Sequence, residues 1–92
     1  MVETVDDSEP TRRPFYRARS ITALAEAVQA MRTDAGKTQT ELALDITSSR
    51  PTISRMERGM PVATDTLLDA LTACGYELVL IPRGARLTVS PQ

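Results

Sequence analysis

The sequence predicts a mainly α fold, a small bundle of short helices that ends in one β-strand. Three observations predict it. Four stretches carry apolar residues at helical spacing, each preceded by a hydroxyl residue suited to capping. Gly36, Gly59 and Gly75 each follow directly on such a stretch, where a left-handed residue stops a helix. Only after Gly75 does the pattern change, to YELVLI at residues 76–81, rich in β formers and apolar on both faces from Leu78 onward.

Taken in order, residues 1–14 mix acids, Thr, Ser and two prolines without periodicity and are expected to be disordered. Arg12, Arg13, Arg17 and Arg19 then surround Phe15 and Tyr16. That composition suits an arm touching phosphate, a minor groove or a partner protein, or equally a lead-in whose aromatics cover the first helix. Ser20 or Thr22 caps a first helix reaching about Ala35, with Leu24, Val28 and Met31 on one face and Ala27 and Ala35 close by. Thr38 and Glu41 form a Thr-x-x-Glu capping box, so a second helix starts near Gln39, with Leu42, Ala43 and Ile46 inward. Thr47, Ser48 and Ser49 interrupt it. Ser49 caps a third helix whose first turn tolerates Pro51, because the missing donor lies among those without an intrahelical partner.

At about 100° per residue, Ile53, Met56 and Glu57 of the third helix face the core. Pro51, Arg55 and Arg58 lie opposite, flanked by Thr52 and Ser54. Thr64 is expected to cap a fourth helix through about Cys74, with Leu67, Leu68 and Leu71 inward. The strand at 76–81 needs a partner. Leu87 to Val89 offers one through a turn at 83–85, but a lone hairpin is marginal, and pairing with the same strand of a second subunit would close the edge and bury Leu78, Val79, Leu80 and Ile81. The expected organisation is an acidic then arginine-rich arm at 1–19, a helical domain at 20–75 and a dimerisation segment at 76–92.

Two short helices joined by a tight turn match the helix-turn-helix, which lays its second helix in the major groove of DNA. The net charge of −1 hides an uneven distribution: residues 1–9 hold four acids and no base, residues 10–60 nine bases against five acids. The middle is basic, as phosphate contact requires. Catalysis has little support, since the chain has no histidine, one cysteine and no glycine-rich phosphate loop. No cofactor or metal is expected, and Cys74 reads as a small buried hydrophobe. With no signal-peptide pattern and no apolar run near the roughly 20 residues needed to cross a bilayer, a cytoplasmic, nucleoid-associated protein is expected. A core of this size suggests an oligomer.

TQTELA at residues 38–43 and SRPTISRMERG at residues 49–59 carry a resemblance to the Xre or phage-repressor type of helix-turn-helix domain, over about residues 24–73. The resemblance implies a lambda-repressor-like bundle of four or five helices. By position it implies DNA contacts at Gln39, Ser49, Arg50, Pro51 and Arg55, with Arg58 on the backbone. Thr38, Thr52 and Ser54 complete the expected face. It also implies an ion pair between Arg32 and Glu57. The family's turn usually carries Gly and then an aliphatic residue, whereas this chain has Thr47 and Ser48, so a longer or differently shaped turn is expected. GYELVLIPRG after the fourth helix is similar to the C-terminal strand of HipB-like antitoxins, which dimerise through it and bind both operator DNA and a HipA-like kinase toxin. The expected function is therefore a homodimeric repressor of a palindromic operator, autoregulating a toxin-antitoxin operon. The alternatives are a stand-alone Xre-type regulator and a protein-interaction module.

Overall fold

A computed structural model describes residues 15–90 of the chain. The expectations for the acidic start, for Arg12 and Arg13 and for disorder over 1–14 lie outside the described residues. The contacts divide the described chain into two units, residues 17–78 and residues 79–90 with Phe15 and Tyr16.

The first unit holds four helices: α1 Ile21–Asp34, α2 Gln39–Asp45, α3 Arg50–Glu57 and α4 Thr64–Ala73. Local chemistry starts the first three. Ser20 caps α1 by accepting the Ala23 N–H at 3.1 Å. The Thr38 hydroxyl accepts the Glu41 N–H at 3.0 Å while the Glu41 carboxylate accepts the Thr38 N–H at 2.8 Å, a complete capping box for α2. Ser49 caps α3 from outside its proline-bearing first turn. The fourth start differs from expectation. Thr64 is already helical, and the cap position belongs to Ala63, which has no side-chain acceptor to offer.

The helix stops follow one rule. After each helix, two successive N–H groups return to carbonyls of the last turn in the paired pattern of a Schellman motif. They are Gly36 to Thr33 and Lys37 to Arg32, Thr47 to Leu44 and Ser48 to Ala43, Gly59 to Met56 and Met60 to Arg55, and Gly75 to Thr72 and Tyr76 to Leu71. The motif needs a left-handed residue, supplied by glycine at 36, 59 and 75 and by Thr47, at φ 55°, in the turn between α2 and α3. That turn closes with the same pair of backbone bonds as the three glycine stops. The two backbone bonds hold a β-branched residue in a conformation that costs it of order 1–2 kcal/mol.

Val28 and Met31 of α1, Leu42 of α2 and Ile53 of α3 are the largest fully buried side chains, joined by Ala43, Met56, Ala70, Leu71 and Cys74. Each large aliphatic side chain buried this way contributes roughly 1.5–3 kcal/mol. α3 packs against both α1 and α2, and α2 also meets α4. In α4 the buried stripe runs through Ala70, Leu71 and Cys74, so Leu68, expected inward, sits a quarter-turn off the stripe and is 41% exposed. Ala35, expected near the core face, is the exposed C-terminal cap of α1.

Residues 76–81 form no strand within the single chain, and no strand occurs among the described residues. In the second unit the turn does form, with the Ala85 N–H donating to the Pro82 carbonyl at 3.0 Å and Gly84 at φ 81°. No ladder with 87–89 follows it. A strand is defined by its hydrogen-bonded neighbour, and the described residues supply none here. Leu78, Val79 and Leu80 remain 50%, 62% and 88% exposed. Among the described residues no helix is long and apolar enough to cross a membrane.

Candidate nucleic-acid interface

α3 turns two kinds of residue in opposite directions. Ile53 and Met56 are buried, whereas Arg50, Pro51, Arg55 and Arg58 are exposed, with Thr52 and Ser54 half-buried between them. Ser49 holds the leading end: its Oγ accepts the Thr52 N–H at 3.4 Å and shares a hydrogen bond with Thr52 Oγ1 at 2.9 Å. Arg50 stands in the first turn and makes no side-chain hydrogen bond among the described residues. Arg58 Nε donates to the Ser54 carbonyl at 3.3 Å. Arg55 behaves differently, because its Nη2 donates to the Pro61 carbonyl, 2.9 Å away in the α3–α4 connection.

The one acid of α3, Glu57, is withdrawn from this face. Its carboxylate accepts from Arg32 Nε at 2.5 Å and Arg32 Nη2 at 2.9 Å, a bidentate pair between the ends of α1 and α3. Arg32 Nη1 donates to the Lys37 carbonyl at 2.8 Å. Gln39 Nε2, at the start of α2, reaches Glu57 Oε1 at 3.2 Å. Three helices are therefore tied at one carboxylate, whose side chain is 4% exposed. Removing Arg32 would leave that charge buried and uncompensated, the costly case. The Glu57 hydrogen bond raises the Arg32 guanidinium above its already high ordinary value, so the arginine keeps its charge throughout the physiological range. For a recognition surface the consequence is electrostatic. The only negative charge on α3 is cancelled internally, and the outward charge of the helix is purely positive.

The start of α2 lies beside this network. Thr38 is exposed and its hydroxyl and N–H are both engaged in the capping box. Gln39 is half-buried and its amide nitrogen is committed to Glu57. Thr38, donating from its backbone, holds the Glu41 carboxyl below its ordinary value. Lys37 pairs with Asp45 across α2, which raises the lysine.

Between α3 and its connection to α4 lies an open cleft of about 410 Å³, lined by Ser48, Thr52, Arg55, Val62, Ala63 and Thr66 among others. Thr66 and the 61–63 segment carry no signal in the sequence that would have placed them here. Their position depends on how α4 docks, which no local spacing reports.

A helix-turn-helix family model matches residues 28–81. Among solved structures, a HipB–O4 20mer complex is 30% identical, with a TM-score of 0.69 over 75% of this chain and 99% of that one. A HipA–HipB–O2–O3 complex is likewise 30% identical, with a TM-score of 0.68 over 75% and 99% of the two chains. A structure named MDT protein matches with the same values. No curated protein sequence matches the chain.

Proposed function

Because the chain belongs to the helix-turn-helix family, in its HipB-like group, we propose that it is a sequence-specific, non-enzymatic DNA-binding repressor and the antitoxin of a HipBA-type toxin-antitoxin pair. The observation that carries this reading is α3, which presents Arg50, Arg55 and Arg58 outward while its acid is neutralised by Arg32. Such a helix meets a polyanion without an opposing charge. In the proposed complex two copies of the chain set their α3 helices in successive major grooves about 34 Å apart, on a palindromic operator. Thr38, Gln39, Ser49, Thr52, Ser54 and Arg58, with the N–H groups at the helix starts, register the protein on phosphates and sugars. Pro51 shapes the first turn. Arg50, leading the helix, reads a base edge, most suitably guanine O6 and N7.

Residues 20–75 serve as the DNA-binding body in this reading. Residues 76–92 pair two copies through Leu78, Val79, Leu80 and Ile81, and residues 1–19 form an arm. The solved neighbour containing both HipA and HipB supports a HipA-like partner; in this reading that partner is a kinase toxin, and repression takes place in a cytoplasmic, nucleoid-associated setting. Arg50→Ala tests the assignment by quantitative binding to duplexes. The expected loss is about 1–3 kcal/mol, concentrated at one base pair per half-site. An unchanged preference at every base pair would remove Arg50 as the reader, and an inability of the unaltered chain to prefer any duplex would remove the DNA-binding reading.

A further inference from the structure

The geometry points to a division of labour between the two arginines of α3: Arg55 positions the α3–α4 connection instead of reading a base. This rests on the DNA-binding reading above and deepens it. Arg55 holds the connection at two points. Its carbonyl accepts the Met60 N–H at 3.0 Å, and its guanidinium donates to the Pro61 carbonyl at 2.9 Å. The segment has few other anchors. Pro61 has no N–H, Ala63 caps α4 without a side chain, and Met60, Pro61 and Ala63 are all exposed. A charged donor on a carbonyl is among the stronger hydrogen bonds, and its fixed fork suits bridging two backbone segments. Arg55 and Pro61 also line the cleft together with Val62, Ala63 and Thr66, so the clamp lies where the connection enters the first turn of α4. Arg50 lies in the first turn of α3, has no comparable partner among the described residues, and keeps its full donor set for a base edge.

Two measurements on the full chain test this, each comparing the unaltered protein with Arg55→Ala, Arg55→Lys and Arg50→Ala. The first is amide order by nitrogen relaxation in the DNA-free protein. Arg55→Ala should drop Val62 and Ala63 towards the flexible range, below about 0.6, while the helices stay near 0.85. Arg55→Lys, a point charge without the fork, should fall between. The second is affinity for the best duplex that the unaltered chain selects from a randomised 20-base-pair library, and for variants of it with each base pair changed in turn. Arg55→Ala should weaken all of them by one common factor of about tenfold, and Arg50→Ala should lose most where its base is intact. A loss for Arg55→Ala that disappears when one base pair is changed would make Arg55 a reader and overturn the inference, as would unaltered order at 62–63. If the library yields no preferred duplex, the DNA-binding reading fails, and the order measurement alone decides the clamp.

Discussion

Thr47 stands where the other three helix ends of this chain have glycine. Its φ of 55° is imposed by two backbone hydrogen bonds that close the Schellman motif after α2. A Cβ in that region is strained, and branching at Cβ adds to it. Thr47→Gly should therefore stabilise the fold by about 0.5–1 kcal/mol, the relief of strain being partly offset by the extra freedom glycine gives the unfolded chain. It would be read as a higher denaturant midpoint at constant slope. Gly59 is the opposite case. It lies at φ 74°, and a Cβ there would come 3.2 Å from Ile21 Cγ2. Gly59→Ala should cost about 1–2 kcal/mol in the same measurement, because strain and crowding act together.

At the scale of the element, α2 is the shortest of the four helices, with seven residues, and an isolated helix of that length would not persist in water. Its persistence depends on packing through Leu42 and Ala43 and on the capping box at its start. The Glu41 carboxyl lies below its ordinary value of 4.5, chiefly through the hydrogen bond from the Thr38 backbone. A carboxyl depressed on folding adds stability that is complete above its unfolded value and is lost as pH falls through the lower folded value. Glu41→Gln keeps an acceptor for the Thr38 N–H but cannot titrate. Thermal melts on the acid side of pH 4.5 should thus decline less steeply for this variant than for the unaltered chain. Parallel acid limbs would show that the capping box contributes nothing to the pH dependence.

For the whole molecule, the question is what covers residues 78–81. Leu80 is 88% exposed in the single chain, and its neighbours Leu78 and Val79 are at least half exposed. A row of this kind, with no backbone partner among the described residues, is a template for a second strand. Leu80→Lys should weaken self-association by at least about tenfold, since a buried leucine contributes roughly 1.5–3 kcal/mol per copy. Sedimentation equilibrium measures it, and an unchanged dimer would remove the cross-subunit sheet. In the proposed complex weaker dimerisation should also lower operator affinity, because engaging both half-sites at once depends on that pairing.

What the sequence by itself determined are the terms that act within one turn of chain. Ser20, the Thr38 and Glu41 pair, Ser49 and the three stop glycines are legible because a cap and its donor lie three residues apart and a left-handed stop has a preferred residue. The helical stripes of Val28 and Met31, of Leu42 and Ala43, and of Ile53 and Met56 are legible for the same reason of fixed period. The tertiary structure alone decided the rest. It buried Ala70 and left Leu68 out, since three leucines stand close together on α4 and docking selects which of them face the core. It brought Gln39 and the Lys37 carbonyl to the Arg32–Glu57 pair, and it turned Arg55 back onto Pro61. These contacts join backbone and side-chain atoms whose separation along the chain carries no periodic signal. The strand expected at 76–81 lies beyond both, because its hydrogen bonds require a neighbour that the described residues do not supply.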